Sequence, residues 1–208
     1  MRNRDYKQFG PGEYYHVYNR GNGKKNIFLD DEDYKFFLLR LRQNLYPDTR
    51  EKHRFQLLPQ NSFSLVSYCL MSNHFHFLLR QNSEVPTTKL IAKLCTSYSM
   101  YFNKKYEHVG HVFQDRYKQI NIFDDEYLVW LSLYVHLNPK TAGIVSDPSK
   151  YPWSSCADFV GKHDENMCDK SIIMDRLSAM EYENLLVTGY EIIKSKNGLK
   201  ELLIDDEY

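Results

Sequence analysis

Hydrophobic and polar positions follow two different periods along the chain. Four short runs are rich in aromatic and β-branched residues, which is typical of strands. These runs are 14–19, 63–71, 74–79 and 111–122. Two longer segments, 30–45 and 87–106, repeat apolar residues at three- and four-residue spacing and predict amphipathic helices. The order β-α-β-β-α-β predicts an α+β, ferredoxin-like fold, in which one antiparallel sheet carries two helices on one face. We expect the other face to be open to a ligand.

The segment after these six elements predicts a third helix, from Asp124 to Asn138. Asp124 is a suitable N-cap, and Pro139 disfavours the helical conformation in the residue before it. Because this helix is apolar over most of its circumference, we expect it to be largely buried. Two further helices are predicted at 172–187 and 190–203. The chain therefore continues past the predicted sheet into a helical C-terminal part.

The two parts of the chain differ in charge. The 208 residues carry no net charge, but residues 164–208 contain 11 acidic and 5 basic side chains. Residues 1–163 are therefore basic overall, and they contain all eight histidines. Such asymmetry often separates a body that binds polyanions from an acidic tail. We predict a domain at 1–163 and an acidic, mainly helical extension at 164–208, although charge alone would favour a solvated surface of uneven charge.

Composition narrows the class of protein. Hydrophobic residues make up 42% of the chain, which is enough for a packed core. No run approaches the roughly 18 apolar residues that a membrane helix needs, and the N-terminal residues contain no apolar signal-peptide segment. The four cysteines form no C-x-x-C pair. We therefore expect a cytoplasmic protein with reduced thiols and no membrane partner.

The most informative short motif is His74-Phe75-His76, at the start of a predicted strand. Side chains two apart on a strand share a face, so the two histidines point together while Phe75 points into the core. Two neutral imidazoles can bind a divalent cation, but they leave its coordination shell incomplete. Taken alone, the pair is better explained as two partly exposed strand histidines with ordinary hydrogen bonds.

The third predicted helix offers two polar side chains near its end. Tyr134 and Asn138 are four residues apart and therefore lie on one face of the helix. A phenol with its usual pKa near 10 is a weak nucleophile at neutral pH unless its proton is removed or its target is made more electrophilic. Without further motifs, Tyr134 would be interpreted as a buried aromatic residue with a hydrogen-bonded hydroxyl.

Five motifs, in order along about 150 residues, resemble those of a known family. They are YHVYNRG at 15–21, YCLMSNHFHFLL at 68–79, GHVFQDRYK at 110–118, YVHLNPKTAG at 134–143 and YPWSS at 151–155. In these motifs the chain resembles the single-tyrosine HUH transposases, in particular the REP-associated tyrosine transposases and the related transposases of small insertion sequences. His74-Phe75-His76 matches the His-hydrophobic-His motif of that group. The acidic extension lies outside the resemblance.

The resemblance implies a ferredoxin-like fold and a transposase-like DNA strand transferase. Such enzymes bind single-stranded or hairpin DNA, use a divalent metal such as Mg²⁺ or Mn²⁺, and cleave and rejoin the strand through a 5′-phosphotyrosine intermediate. By motif position, it implies that Tyr134 is the nucleophile and that His74 and His76 hold the metal. Asn138 stands where the insertion-sequence members have a metal-holding Gln, and its side chain is one methylene shorter. Relatives act as monomers or as homodimers, so both states stay open.

Several residue assignments stay open. Tyr117 lies between Arg116 and Lys118 on a predicted strand and is the rival nucleophile. His136 is expected to be structural or to face DNA. Candidate DNA contacts are basic or aromatic residues that could meet phosphates or unpaired bases. They are Arg20, Lys89, Lys93, Arg116, Tyr117 and Lys118.

Two alternative functions also remain. A ferredoxin-like nucleic-acid-binding module without cleavage activity would be favoured if Asn138 could not hold the metal and no nicking of DNA were seen. A metal hydrolase built on His74 and His76 is less favoured, because no further cluster of His, Asp or Glu with ligand spacing is evident.

Overall fold

The chain folds around a four-stranded antiparallel sheet. The computed structural model describes residues 10–48, 57–163 and 166–195. The strands are β1 (Tyr14–Arg20), β2 (Phe63–Met71), β3 (His74–Gln81) and β4 (Lys118–Ile122). They lie in the order β2-β3-β1-β4, and every neighbouring pair is antiparallel. This arrangement confirms the predicted α+β, ferredoxin-like fold.

Six helices accompany the sheet in the described residues. They are α1 (Asp31–Leu45), α2 (Thr87–Lys105), α3 (Asp125–Thr141), α4 (Cys156–Phe159), α5 (Ser171–Met174) and α6 (Ala179–Ser195). Short 3-10 turns lie at Asn22–Lys24 and Pro148–Lys150. In this described part of the chain, none of the helices has the length and apolar character needed to cross a bilayer.

The helices α1 and α2 pack on one face of the sheet, as predicted. The carboxylate of Asp30 caps the first backbone N–H groups of α1, in a reciprocal capping box with Asp33. The apolar positions of both helices recur at helical spacing and are buried in a first core. Aromatic rings fill this core: the ring of Phe37 lies 5.2 Å from that of Phe75 and 6.1 Å from that of Phe77. Burial of such rings stabilises this layer.

The opposite face of the sheet is covered by α3, which corrects the expectation that this face is open. The helix contacts β2, β3 and β4. Its buried residues share a second core with Leu78 of β3 and Ile122 of β4. A helix that is apolar over most of its circumference must bury more than one side, and the sheet supplies one of the surfaces it needs.

The helix α3 also runs through Pro139, whereas the sequence predicts that it ends before the proline. Pro139 lies in the last turn of α3 and is buried. Its missing N–H removes one hydrogen bond of the helix, and packing against the sheet outweighs that loss. The extra turn carries Thr141 to the end of the sheet, beside a cavity that His74 also lines.

The strand β4 is shorter than the predicted strand 111–122. Residues 111–117 instead wrap past the end of β1. The N–H of Asn22 donates to the carbonyl oxygen of Val112 (2.9 Å), and the N–H of Gln114 donates to that of Arg20 (2.8 Å). The hydrogen bonds to the end of β1 hold this segment in place, although it is not a continuous strand.

The C-terminal helices differ from the predicted ones. The sequence predicts helices at 172–187 and 190–203, whereas α5 ends at Met174 and α6 begins at Ala179; residues 196–203 lie outside the described part of the chain. The backbone N–H and the hydroxyl of Ser178 both donate to the carboxylate of Glu181 (2.8 and 2.7 Å). This cap begins α6, and the S-x-x-E spacing was a usable signal for it.

The helix α6 packs against α3. Tyr182 and Leu186 belong to the second core. Gly189 approaches α3 so closely that a Cβ atom there would lie 3.4 Å from Cδ1 of Leu137. The domain boundary at 163 stays a prediction, but side chains from both sides of it pack together.

Candidate active site

His74 and His76 lie on the face of the sheet that α3 covers. As predicted, Phe75 and Phe77 point the other way, into the first core. The two imidazole rings lie 5.0 Å apart, centroid to centroid, at an angle of 88°. His76 is fully buried, whereas His74 is partly exposed. The pair therefore lies at the boundary between the second core and solvent.

Hydrogen bonds orient both rings. Nδ1 of His74 lies 2.6 Å from Oδ1 of Asn73, and this oxygen can only accept, so Nδ1 carries the proton. A neutral His74 then has its lone pair on Nε2. Nδ1 of His76 lies 3.0 Å from Nε2 of His16. In both His74 and His76, Nδ1 forms a hydrogen bond and Nε2 is shielded from solvent. Nε2 is therefore the atom that each ring would present to a cation.

Sequence reasoning missed His16 as a residue of this site. His16 is fully buried on β1, and its ring stacks on those of His76 (5.2 Å) and Tyr18 (5.0 Å). The strand register aligns Tyr18 with His76 and Arg20 with His74. Alternation along YHVYNR already predicts that His16, Tyr18 and Arg20 share a face. The pairing of β1 with β3 is what brings that face to the histidines.

The helix α3 brings Tyr134 and Asn138 to the same region. The ring of Tyr134 lies 6.0 Å from that of His76, edge to face, and the residue is 7% exposed. Nδ2 of Asn138 donates to the carbonyl oxygen of Tyr134 (3.0 Å). Oδ1 is therefore the atom of the Asn138 amide that can bind a cation.

A cavity of about 250 Å³ opens where β1, β3 and α3 meet. His74 and Asn138 both line it, so two of the three predicted metal ligands border one space. The other lining residues are Tyr18, Asn19, Arg20, Met71, Thr141 and Ala142. The extra turn of α3 beyond Pro139 forms one wall of this cavity.

Three of the predicted DNA contacts gather beside this cavity. Arg20 lines it and also lines a smaller cavity of about 80 Å³, together with Arg116 and Lys118. The smaller cavity is completed by Tyr18, Asn19, Gln114 and Asp115. The three cations outnumber the carboxylate of Asp115, so the surface next to the site is suited to a phosphate backbone.

The other three predicted contacts lie elsewhere. Lys89 is exposed on α2, and Lys93 lines a groove of about 760 Å³ between α1 and α2, on the far side of the sheet.

Tyr117 is half-buried against the first core, and its hydroxyl lies 3.4 Å from Oε1 of Gln119. Burial raises the pKa of Tyr117, which disfavours its phenolate.

His136 lies in the interior of the protein, which supports the structural one of its two expected roles. It is fully buried, with Nδ1 2.9 Å from the hydroxyl of Tyr182 and Nε2 2.8 Å from Oγ of Ser155. Burial lowers the pKa of His136 to about 3, so the ring is neutral at physiological pH.

The donor atoms fit a divalent cation that shares its shell with other ligands. Among the described residues, no group of three or more His, Cys, Asp or Glu side chains could hold a metal. Two imidazole nitrogens, from His74 and His76, and the amide oxygen of Asn138 are nevertheless ligands that Mn²⁺ accepts, with water or phosphate oxygens in the remaining positions. The residues therefore fit a cation that a phosphate group helps to bind.

Two solved structures are similar to this chain. A REP-associated tyrosine transposase bound to a REP hairpin aligns with a TM-score of 0.56 at 12% identity, over 81% of this chain and 98% of that chain. A candidate transposase from Deinococcus radiodurans R1 aligns with a TM-score of 0.39 at 15% identity, over 62% of this chain and 91% of that chain. The first likeness shows a common fold.

Sequence comparison agrees with the fold. No curated protein sequence matches the chain. The family model described as IS200-like transposase matches residues 14–138, which include the two strand histidines, Tyr134 and Asn138. Because this match spans more than half of the 208 residues, the chain belongs to the IS200-like transposase family.

Proposed function

We propose that this protein is a metal-dependent DNA strand transferase that cleaves and rejoins single-stranded, hairpin-forming DNA through a 5′-phosphotyrosine intermediate on Tyr134. The observation that carries the proposal is the convergence of the histidine pair and the tyrosine, with 6.0 Å between the rings of His76 and Tyr134. Phosphoryl transfer requires a positioned nucleophile next to a group that stabilises charge on the phosphate. The solved relative bound to a REP hairpin supports hairpin DNA as the substrate.

His74 and His76 would hold the metal through Nε2, with Oδ1 of Asn138 as a third ligand. When bound, a divalent metal supplies a Lewis acid that draws charge from a non-bridging phosphate oxygen. For Nε2 of His76 to carry a lone pair, Nδ1–H of His76 must donate to Nε2 of His16. His16 is therefore a positioning residue that fixes the tautomer and orientation of His76.

Tyr134 supplies the nucleophilic oxygen. Its Oη forms a bond to phosphorus while the bond from phosphorus to the 3′ oxygen breaks; the phenol loses one proton and the departing 3′ oxygen gains one. The product is a tyrosyl phosphodiester, so attack by a 3′ hydroxyl can reverse the step and rejoin a strand without ATP. The burial of Tyr134 between α3 and the sheet restricts its side chain, which favours an aligned attack.

Arg20, Arg116 and Lys118 would bind the sugar-phosphate backbone on either side of the scissile phosphate. Arg20 borders both cavities, so it joins the candidate metal site to the basic surface. Contacts of this kind neutralise phosphates and position the strand without reading its sequence.

Tyr117 is less suited to be the nucleophile. It packs against the first core, on the other side of the sheet from His76. Its raised pKa also makes the phenolate harder to form. Tyr134 and Tyr117 therefore form a matched pair for mutagenesis, since both are at least partly buried tyrosines and only one lies near the histidines.

The test uses a single-stranded hairpin oligonucleotide labelled at its 3′ end, so that the fragment attached through its 5′ phosphate carries the label. The protein is incubated with this DNA and Mn²⁺, and the products are separated on a denaturing gel. We expect a covalent protein-DNA band that disappears in EDTA and in Tyr134→Phe, and that remains in Tyr117→Phe.

An adduct that survives Tyr134→Phe and is lost in Tyr117→Phe would overturn the assignment of the nucleophile. Binding of the hairpin without any adduct would favour the nucleic-acid-binding module. Release of a cleaved product without an adduct, at any time point, would favour the metal hydrolase.

A further inference from the structure

A chain of buried hydrogen bonds joins α6 to α3 and then to β2. The hydroxyl of Tyr182 lies 2.8 Å from Oγ of Ser132 and 2.9 Å from Nδ1 of His136. Nε2 of His136 lies 2.8 Å from Oγ of Ser155, which accepts the backbone N–H of Tyr68 (2.9 Å). Tyr182 and His136 are both fully buried. The extension is thus connected through polar groups to the helix that carries Tyr134.

The donors and acceptors of this chain have a consistent direction. Oγ of Ser132 donates to the carbonyl oxygen of Val129 (2.7 Å), so it accepts from the hydroxyl of Tyr182. Tyr182 has then used its only proton, so it accepts from Nδ1–H of His136. Nε2 of the neutral ring in turn accepts from the hydroxyl of Ser155. The hydroxyl of Ser155 also has the carbonyl oxygen of Tyr68 as an acceptor at 3.3 Å, and its contact with Nε2 of His136 is the shorter of the two. A rotation of α3 would break the two bonds to Tyr182.

These bonds act on the face of α3 that is opposite Tyr134. Ser132 and His136 lie two residues before and two residues after Tyr134, and side chains two apart on a helix are separated by about 200° around the axis. Both bond to the same hydroxyl, that of Tyr182, so together they define the rotation of α3 at this turn. Apolar neighbours such as Leu186 exclude water from the interface but have no such directional requirement.

We infer that Tyr182 is a positioning residue for strand transfer: through Ser132 and His136 it sets the rotation of α3, and thereby the placement of Tyr134 against His76. This inference rests on the proposed role of Tyr134 as nucleophile. It gives the C-terminal extension a part in the cleavage step that is separate from DNA binding. If Tyr182 were only a core residue, its loss would affect stability alone.

The first variant is Tyr182→Phe, which keeps the ring and removes the hydroxyl. A displaced nucleophile reacts slowly even when the substrate is bound, so cleavage of a pre-bound hairpin in a single turnover should slow on the order of 10- to 100-fold. The Kd for the same hairpin should stay unchanged. The rate is measured at a temperature at which circular dichroism shows the full-length variant to be folded.

Two further variants separate positioning from stability. Leu186→Ala truncates a buried side chain of the same interface without touching the hydrogen-bond chain. It should lower the Tm at least as much as Tyr182→Phe and leave the rate of the folded protein unchanged. The double variant Tyr182→Phe/His136→Leu removes both partners of the bond between these residues and also the bond from His136 to Ser155, so it should not regain the rate.

A spectroscopic measurement distinguishes failure of this inference from failure of the proposed function. With 3-fluorotyrosine at position 134, the fluorine resonance should shift in Tyr182→Phe and stay in place in Leu186→Ala. An unshifted resonance, a wild-type cleavage rate, or equal slowing in Leu186→Ala would overturn the role of Tyr182. Absence of an adduct from the wild-type protein would instead overturn the nucleophile, and the fluorine resonance would still decide whether Tyr182 sets the position of residue 134.

Discussion

The two faces of the sheet are packed in different ways. Beneath α1 and α2 the core consists mainly of aromatic and aliphatic side chains, and the buried carboxylate of Asp33 lies at the start of α1, 3.0 Å from Nζ of Lys105. Beneath α3 the second core buries three imidazoles, those of His16, His76 and His136. Each of these rings has a hydrogen-bond partner within 3.0 Å.

The difference between the faces teaches where to look for function. A buried polar group costs free energy unless it is hydrogen-bonded, and a well-packed apolar side chain in its place would often be neutral or stabilising. Stability alone therefore does not explain three imidazoles in one core. Departures from apolar packing are expected at functional sites, which favours the α3 face as the chemical face and the α1/α2 face as the structural one.

The largest effects should come from two single substitutions by Ala, at neighbouring residues of β3 whose side chains point to opposite faces of the sheet. Phe77→Ala removes a fully buried ring from the first core and should lower the free energy of unfolding by about 3–5 kcal/mol, as measured by urea denaturation. His76→Ala should abolish Mn²⁺ binding, as measured by isothermal titration calorimetry, because it removes one of the two proposed imidazole ligands.

This pair also contains its own control. At a temperature at which Phe77→Ala is folded, it should bind Mn²⁺ as the wild-type protein does, because its side chain points away from the histidines. Wild-type Mn²⁺ affinity in His76→Ala would contradict the metal site. Loss of Mn²⁺ binding in both variants would contradict the distinction between a chemical face under α3 and a structural face under α1 and α2.

The periodic part of this fold could be predicted from the sequence. The strand at 63–71 and the two helices of the first layer were predictable because burial on one face leaves a repeating apolar pattern. The shared face of His74 and His76 follows from the same rule. The candidate nucleophile, by contrast, was suggested by a family resemblance, because one tyrosine among 17 has no periodic signature.

The contacts that complete the candidate site had no local signal. His16 meets His76 across 60 residues, and His136 meets Tyr182 across 46, so both contacts depend on how distant elements pair and pack. Pro139 was misjudged for the same reason: a local preference was outweighed by tertiary packing. Sequence patterns therefore predict the layers better than the polar contacts between them.

A smaller effect is expected from His16→Phe, which keeps an aromatic ring against Tyr18 but cannot accept a hydrogen bond from His76. Loss of such a partner to a metal-binding histidine typically weakens metal affinity by about 10- to 100-fold, and we expect a Mn²⁺ Kd raised by that factor in calorimetry. Tyr15→Phe is the matched control, since Tyr15 lies next to His16 on β1 but belongs to the first core. It should leave the Mn²⁺ Kd unchanged; a fully wild-type Kd in His16→Phe would contradict the positioning role.

The smallest effects should come from single surface charges, and they test whether DNA uses one face of the sheet. Arg116 and Lys89 are both exposed, so neither Arg116→Ala nor Lys89→Ala disturbs a core. Arg116 lines the cavity beside the candidate site, so its loss should weaken hairpin binding and reduce the slope of log K against log salt by about 0.7, the value for one single-strand phosphate. Fluorescence anisotropy over a range of salt concentrations measures this slope. Lys89→Ala, which changes a residue of α2, should leave this slope unchanged. An equal reduction in both variants would mean that DNA also reaches the α1/α2 face, and that face would then be more than structural.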